Sequence, residues 1–208
     1  TGKIDEFSPN SKKIHIDIDP SSIGKIVKVD LALVSDVDIF LSALIKRFKN
    51  KNKNFVDVNK KSISNWWKQI NKWREKKSLN YRASDTIIKP QYAVERLYEL
   101  TKNQDTFITT EVGQHQMWAA QYYKFNKPNR WMTSGGLGTM GFGLPAAIGV
   151  QIANPGKLVV DIAGEASVLM TMQEISTAVQ YKLPIKIFIL NNQYMGMVRQ
   201  WQELLHDK

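Results

Sequence analysis

The chain has 208 residues and no cysteine, so no disulfide framework can support its fold. No apolar run reaches the roughly 18–20 residues that a membrane-spanning helix needs. Residues 1–20 also lack the apolar core of a signal peptide. We therefore expect a cytoplasmic protein with no membrane partner. The length is enough to bury a substantial core in one domain or two.

Positive charge is concentrated in one segment. Residues 46–77 contain twelve Lys or Arg residues and two acidic ones, so this segment accounts for the net charge of +10. Tryptophans interleaved with lysines could bind nucleic acid. The alternative is a linker with an amphipathic helix over about Ser62–Lys76, because Trp66, Ile70 and Trp73 fall on one helical face. We favour the linker and predict no nucleic-acid partner, since no nucleic-acid-binding motif accompanies the charge.

A strand, a turn, a helix and a second strand are predicted near the C-terminal end. Leu158–Ile162 precedes Gly164-Glu165-Ala166-Ser167, and Ile185–Leu190 precedes Asn191-Asn192. Both strand ends of a βαβ unit lie at one edge of a parallel sheet, so the carboxylate and the Asn pair should meet. Such oxygen ligands suit Mg²⁺, which is usually held together with the phosphates of a cofactor. A helix N-terminus at Ala166-Ser167 adds N–H groups for phosphate, so the unit predicts a metal–diphosphate site.

The same segment could be an ordinary βαβ crossover with a glycine turn. A glycine-rich run, Ser134–Ala147, favours the cofactor site, because its five glycines in nine residues allow the backbone to approach a ligand closely. Pro145 and the small residues after it can begin a helix. A flexible linker would not carry Leu, Met and Phe between its glycines.

The order of elements predicts an α/β fold, with a parallel sheet covered by helices on both faces. The helix of the βαβ unit is expected to run unbroken to Gln180. Apolar periodicity and turn residues predict the other elements. They are strands over Lys13–Ile18, Lys28–Leu33 and Thr106–Thr109, and helices over Val37–Lys49, Lys89–Thr101, Gln114–Tyr123 and Ala146–Ile152.

Three blocks resemble the catalytic subunit of the acetolactate synthase family, whose members use thiamine diphosphate. They are Glu111–Gln121, Ser134–Ala147 and Leu190–Trp201. The Gly-acid turn with a distant Asn pair is shared by thiamine-diphosphate enzymes generally. The Gln-His-Gln-Met-Trp and Gly-Met-Val-Arg-Gln-Trp blocks are much narrower and point to this family. Thr1–Phe7 and Ile14–Asp19 resemble the end of its middle domain.

The resemblance implies three regions. Residues 1–48 would be the end of a Rossmann-like middle domain associated with FAD, and residues 49–85 a basic linker with the amphipathic helix. Residues 86–208 would be a truncated domain that binds thiamine diphosphate and Mg²⁺. The chain has no initiator Met and starts and stops inside domains of the family. We therefore expect a fragment that is inactive by itself.

The resemblance also implies roles for cleft residues. Gln114 and His115 would contact the diphosphate, and Gly138 and Met140 would lie against the cofactor rings. The Met140 side chain would act as a wedge that bends the cofactor, a role that suits an unbranched, polarizable side chain. Trp201 would shape the substrate channel. Without the resemblance, His115 would be interpreted as a polar cap, and Met140 and Trp201 as core residues.

Metal and flavin residues are implied in the same way. Glu165, Asn192 and the backbone carbonyl of Tyr194 would hold Mg²⁺, and Ala166 and Ser167 would face the diphosphate. The family has aspartate where this chain has Glu165. The residues that would line FAD are Asp17, Ile18, Asp36 and Val37; a carboxylate at a strand end can bind a ribose hydroxyl, although Asp17 could also cap a turn.

The implied reaction condenses pyruvate with a second pyruvate or with 2-ketobutyrate and releases CO₂, in branched-chain amino acid biosynthesis. The implied partners are the 2-ketoacid substrates, further catalytic subunits in a homodimer or tetramer, and a regulatory small subunit. The family's catalytic glutamate comes from an N-terminal domain of the partner subunit, and this sequence does not include that domain. The alternative is another thiamine-diphosphate-dependent decarboxylase or carboligase acting on 2-ketoacids.

Overall fold

The computed structural model describes residues 2–51 and 53–206. Thr1 of the predicted middle-domain block, Asn52 of the predicted linker and residues 207–208 lie outside the described residues. The chain forms two compact units, one up to Ser78 and one from Leu79 onward. The three-region division predicted from the resemblance stays a prediction.

The first unit contains two parallel strands and two long helices. β1 (Ile14–Asp17) pairs with β2 (Leu31–Val34), after a short 3₁₀ turn near the start of the chain. α1 spans Val37–Lys51 and α2 spans Lys53–Glu75. Because the two strands run parallel, the loops that follow them leave from the same edge of the sheet.

The second helix is longer than the sequence predicts. The expected helix covers about Ser62–Lys76, whereas α2 already begins at Lys53. Residues 25–89 contain neither glycine nor proline, so no strong helix breaker separates the expected linker from the helix. Its apolar face is present as expected, since the Trp66 and Trp73 rings pack edge to face with centroids 5.5 Å apart.

The second unit is built on four parallel strands in the order β4–β3–β5–β6. No helix among residues 2–51 and 53–206 is both long and apolar enough to cross a membrane. In chain order the elements of this unit are α3 (Pro90–Thr101), β3 (Thr106–Thr110), α4 (Gln114–Tyr122), β4 (Trp131–Thr133), α5 (Gly143–Ala153), β5 (Leu158–Ala163), α6 (Glu165–Leu169), α7 (Ile175–Gln180), β6 (Lys186–Ile189) and α8 (Gly196–Leu205).

Helices cover both faces of this sheet, which confirms the predicted α/β class. On one face, α3 and α4 pack around Ile108 and Ile162. On the other face, Ala147 of α5 packs against Phe107 and Val159. Neighbouring residues of a strand point to opposite faces, so a strand covered on both sides buries the side chains of both faces. The two central strands, β3 and β5, are buried along nearly their whole length.

The helix after β5 is broken, whereas the sequence predicts one unbroken helix to Gln180. α6 ends at Leu169, a 3₁₀ turn follows, and α7 begins at Ile175. Between them, the hydroxyl of Thr171 donates a 3.2 Å hydrogen bond to the carbonyl of Gly141. The break therefore places Thr171 in contact with the glycine-rich run. Local periodicity does not predict such a long-range contact.

Two further elements have no counterpart among the predicted ones. β4 has only three residues, too few for an alternating pattern to stand out. α8 begins with Gly196, a residue with low helix propensity. These two elements complete the edge of the sheet and the wall of the site described below.

Candidate functional site

A cleft lies at the carboxyl ends of β3, β5 and β6, where three adjacent strand ends meet. Most residues named for the cofactor and the metal line this one cleft, although they are far apart in the sequence. They are Gln114, His115, Met140, Glu165, Ala166, Ser167, Asn192 and Tyr194. Gly138 and Trp201 do not line it. The role of each residue stays a prediction, while the structure provides the shared location.

His115 forms the floor of the cleft. Its side chain packs so closely on the backbone of Gly164 that a Cβ built there would lie 2.8 Å from Nδ1. Burial lowers the pKa of His115 to about 4, partly opposed by a backbone hydrogen bond with Glu111 and by the charge of Glu165. The imidazole is therefore neutral near pH 7, and its buried Nε2 has no hydrogen-bond partner within residues 2–51 and 53–206.

The turn after β5 is fixed by its own hydrogen bonds. The Ser167 hydroxyl donates to the Gly164 carbonyl at 3.0 Å, and the Gly164 amide approaches the same hydroxyl oxygen at 3.3 Å. Glu165 follows this turn and lines the cleft. Its Oε1 is buried and, among the described residues, unpartnered. A rigid turn thus carries an oxygen that is free to accept a hydrogen bond or to bind a cation.

The turn after β6 is held by hydrogen bonds from its backbone to its own side chains. Asn192 Oδ1 accepts the Tyr194 amide at 3.1 Å, and Asn191 Oδ1 accepts the Gln193 amide at 2.9 Å. Gln193 has a positive φ of 62°, which closes this turn. The part of the chain that is described holds no group of three His, Cys, Asp or Glu side chains that could bind a metal. Any metal here needs a mixed ligand set that includes an amide or a backbone carbonyl.

The glycine-rich run brings one side chain into the cleft. Met140 lines the cleft, and Gly141 directly after it has a φ of +86°, a backbone conformation that favours glycine. Gly138 also has a positive φ, of +75°, and a Cβ built on it would lie 3.9 Å from the side chain of Val112, a cleft-lining residue. Gly138 itself is exposed and is not among the residues that line the cleft.

Trp201 lies on α8 with 56% of its surface exposed. The preceding residue, Gln200, accepts a 2.9 Å hydrogen bond from the Gln114 side chain and so ties α8 to the start of α4. The described part of the chain thus leaves the predicted channel tryptophan outside the cleft that holds the cofactor residues.

Sequence reasoning missed Glu111, which lies directly after β3 and is fully buried. Its carboxylate accepts the amides of Gly141 at 2.7 Å and Leu144 at 3.0 Å. Burial raises the pKa of Glu111, while these backbone amides act in the opposite direction. The available signal was an acidic residue after a run of apolar and threonine residues, a position that must be buried if β3 is central.

Asp161 was missed as well. It lies inside β5, is fully buried, and accepts a 3.0 Å hydrogen bond from the Thr109 hydroxyl. Burial and, secondarily, the charge of Glu111 raise the pKa of Asp161 to about 7. A Cβ built on Gly143 would lie 2.3 Å from its Oδ1, so only glycine fits above this carboxyl group. The available signal was a lone acid within an otherwise apolar strand.

The four residues predicted to line FAD lie in the first unit, at and after the ends of its parallel strands. Asp17 ends β1, and Asp36 follows β2. Each carboxylate accepts a backbone amide two residues further along. Asp17 thus does cap a turn, the alternative left open by the sequence. Ile18 and Val37 are 70% and 60% exposed in this chain.

Two family profiles match the sequence. Residues 111–208 match the thiamine pyrophosphate enzyme, C-terminal TPP binding domain, and residues 1–44 match the thiamine pyrophosphate enzyme, central domain. The first match contains the whole candidate site.

Curated relatives are similar along the entire chain. The acetolactate synthase isozyme 3 large subunit of Escherichia coli (strain K12) is 46% identical over 207 residues. The acetolactate synthase large subunits of Haemophilus influenzae and Cyanidium caldarium are 44% and 45% identical, each over 208 residues. Each comparison covers 100% of this chain but 35%, 35% and 34% of these relatives. The chain thus spans about a third of the length of the relatives that it matches.

The strand-edge cleft, the two domain matches and the similarity along the whole chain agree: residues 1–44 and 111–208 match domains of thiamine pyrophosphate enzymes, and the chain is similar throughout to acetolactate synthase large subunits.

Proposed function

We propose that this chain supplies the diphosphate and metal half of the active site of an acetolactate synthase. The whole enzyme would condense two 2-ketoacids, pyruvate with pyruvate or with 2-ketobutyrate, and release CO₂. The observation that carries the proposal is a pair of unpartnered buried atoms, His115 Nε2 and Glu165 Oε1, in one cleft with Asn192. Buried polar atoms normally have hydrogen-bond partners. Atoms without a partner among the described residues of a cleft therefore point to a bound ligand.

The chemistry of these donors fits thiamine diphosphate with Mg²⁺. The Gln114 side-chain NH₂ can donate to a phosphate oxygen. The His115 ring is hydrogen-bonded to the Glu111 backbone through Nδ1, so it can donate from Nε2 only in the other neutral tautomer, which gives up that bond. Glu165 offers a carboxylate, and Asn192 and Tyr194 offer an amide oxygen and a backbone carbonyl, which are ligands that Mg²⁺ accepts. The Asn192 amide oxygen has two lone pairs, so it can bind the cation while it still accepts the Tyr194 amide.

When bound, the cofactor supplies the carbanion chemistry that decarboxylates one 2-ketoacid and joins the remainder to another. The residues of this chain hold and orient it. His115 and Gln114 would fix the diphosphate, and the Met140 side chain would pack against the rings and exclude water from them. We also propose that Trp201 shapes substrate access in the complete subunit.

We also propose FAD as a second cofactor, held in the first unit. Support comes from the position of Asp17 and Asp36 at neighbouring parallel strand ends, where carboxylates bind ribose hydroxyls in nucleotide-binding folds. The exposed Ile18 and Val37 side chains beside them are available to pack on a flavin nucleotide. Assembly with further catalytic subunits, and with a regulatory small subunit, belongs to the same proposal.

Calorimetric titration of thiamine diphosphate with Mg²⁺ into the 208-residue chain tests the central claim. We expect saturable, Mg²⁺-dependent binding that His115→Ala weakens by about tenfold or more, the effect of losing one hydrogen bond to a charged group. The matched control is His206→Ala, because His206 is exposed at the end of α8 and outside the cleft. Circular dichroism shows whether each variant is folded. Equal affinities for all three proteins would contradict the proposal.

The substrates need a complete subunit that contains this chain. Pyruvate alone should give acetolactate, and added 2-ketobutyrate should divert the product to acetohydroxybutyrate. Release of CO₂ without either carboligation product would favour the alternative, a thiamine-diphosphate-dependent decarboxylase.

A further inference from the structure

Glu111 holds the glycine-rich run at two points. Its Oε2 accepts the Gly141 amide at 2.7 Å and its Oε1 accepts the Leu144 amide at 3.0 Å. Both carboxylate oxygens are thus bonded to the two ends of one short turn. The Glu111 backbone amide in turn donates to the Ile162 carbonyl of β5 at 3.0 Å, so the side chain extends from a fixed point of the sheet.

The turn that Glu111 holds cannot shift easily. The carbonyl of Gly141 accepts the Thr171 hydroxyl, so this peptide is bonded on its other side as well. A Cβ built on Gly141 would lie 3.0 Å from a Thr171 methyl carbon. A Cβ built on Gly143 would lie 2.6 Å from the backbone nitrogen of Glu111. The run therefore crosses the end of β3 in close backbone contact and lies against the Asp161 side chain of β5.

Met140 is the residue directly before this clamped turn, and its side chain lines the cleft. We propose that Glu111 is a positioning residue, which sets the place of Met140 in the cleft wall by holding the amides of Gly141 and Leu144. We call the two hydrogen bonds from the Gly141 and Leu144 amides to the Glu111 carboxylate the clamp. The importance of Glu111 for cofactor binding rests on the function proposed above, whereas the existence of the clamp does not.

The electrostatics of the buried site favour an ionised Glu111. A carboxylate with two backbone donors is stabilised by charge-assisted hydrogen bonds. The other carboxyl group nearby, Asp161, has a single hydroxyl donor and, within the described residues, an unpartnered Oδ2. α5, which packs over both groups, has no titratable residue between Gly143 and Ala153. One negative charge on Glu111 and a neutral Asp161 therefore give the pair its most favourable state.

The clamp is tested first by hydrogen exchange in the 208-residue chain, without any ligand. Glu111→Gln keeps the shape of the side chain but replaces one acceptor oxygen by an NH₂ group that cannot receive an amide. We expect exchange at Gly141 and Leu144 to rise by about tenfold or more, the factor expected from one lost bond to a charged group. Exchange at Val160 in β5 should stay unchanged, and the ¹³C-methyl signal of Met140 should shift.

Two further variants separate positioning from general stability. Glu111→Asp keeps the charge and should restore protection at one of the two amides. Thr171→Val removes the bond to the Gly141 carbonyl but leaves Glu111 in place, so Leu144 should stay protected. Unchanged exchange at both amides in Glu111→Gln, or an unmoved Met140 methyl signal, would overturn the inference.

A measurement on the unaltered chain covers the case in which Glu111→Gln does not fold. Scalar couplings across hydrogen bonds should connect the Gly141 and Leu144 amide nitrogens to the Glu111 carboxyl carbon, and their absence would overturn the clamp. Thiamine diphosphate affinity is then compared between the unaltered chain and Glu111→Asp. Failure of the unaltered chain to bind would count against the proposed function alone, because exchange and couplings still decide the role of Glu111.

Discussion

The side-chain amide of Gln114 donates a 2.9 Å hydrogen bond to Gln200 Oε1, and this bond joins the first residue of α4 to α8. Gly196, the first residue of α8, leaves room for it, because a Cβ there would lie 2.3 Å from Gln114 Oε1 and 3.1 Å from Asn192 Nδ2. The absence of a side chain at Gly196 thus allows Gln114, predicted to contact the diphosphate, to lie close to Asn192, a predicted metal ligand.

Gly196→Ala should therefore displace Gln114 and weaken Mg²⁺-dependent binding of thiamine diphosphate by about tenfold, as expected for one lost hydrogen bond to a charged group. The matched control is Gly149→Ala in α5, where a Cβ meets nothing within 4 Å. That change should leave binding intact and raise stability by roughly 0.5–1 kcal/mol through better helix propensity. Titration calorimetry and urea unfolding measure the two effects. Equal loss of binding in both variants would contradict the claim that binding depends on the space that Gly196 leaves for Gln114.

Glu165→Asp should strengthen Mg²⁺-dependent cofactor binding. Glutamate carries one methylene more than the aspartate of the family, which extends the carboxylate by roughly 1.5 Å from a fixed backbone. The Gly164–Ser167 hydrogen bonds restrain this backbone from retracting. Mg²⁺ requires near-octahedral geometry at about 2.0–2.1 Å, whereas the larger Ca²⁺ tolerates more variation.

The measurement for Glu165→Asp is titration of thiamine diphosphate with Mg²⁺ and, separately, with Ca²⁺ into both forms of the complete subunit. The gain should be larger with Mg²⁺ than with Ca²⁺. Identical Mg²⁺-dependent affinities would mean that glutamate serves equally well as a ligand.

Asp161 should make the folded chain less stable as the pH rises from about 4 to about 7. Burial, with a smaller effect of the Glu111 charge, raises the pKa of Asp161 from 3.8 to about 7. Between these values the folded state keeps a proton that the unfolded state has released. The contribution is fully present below pH 4 and is lost through pH 7, with a slope of roughly 1.4 kcal/mol per pH unit.

Asp161→Asn removes this titration, since an amide stays neutral throughout. The difference in unfolding free energy between the variant and the unaltered chain should grow in favour of the variant from about pH 5 to about pH 7.5. Urea unfolding at both pH values measures it, and Asp105→Asn is the control because Asp105 pairs with Arg130, which keeps its pKa below the usual range. A difference that does not change with pH would contradict the raised pKa of Asp161.

Trp201→Leu should weaken discrimination between 2-ketobutyrate and pyruvate in a complete subunit. A shape-selective apolar contact contributes roughly 1–3 kcal/mol, so the product ratio should change by about tenfold or more. The control is Trp131→Leu, since Trp131 belongs to β4 and packs in the core away from the cleft. An unchanged ratio of acetohydroxybutyrate to acetolactate in Trp201→Leu would show that Trp201 does not shape the substrate channel.

Local sequence was sufficient for the two strands of the βαβ unit and for most of the cleft. Alternating strands and helices require parallel strands, and parallel strands bring their carboxyl ends to one edge. For that reason the sequence alone predicts that Glu165 and Asn192 lie together. The identity of the cofactor followed from short blocks that resemble one family, and it was consistent with the orphaned atoms of His115 and Glu165.

Long-range contacts decided the rest. Nothing local indicates that Glu111 holds Gly141 and Leu144, that Thr171 interrupts a helix to reach Gly141, or that Gly138 lies next to Val112. Each contact joins segments about 30 residues apart or more, or depends on how closely two backbones pack. Periodicity reports which face of an element is apolar. The partner of a buried carboxylate depends on which backbone amides the fold brings within hydrogen-bond distance, a property of the packed chain rather than of any segment.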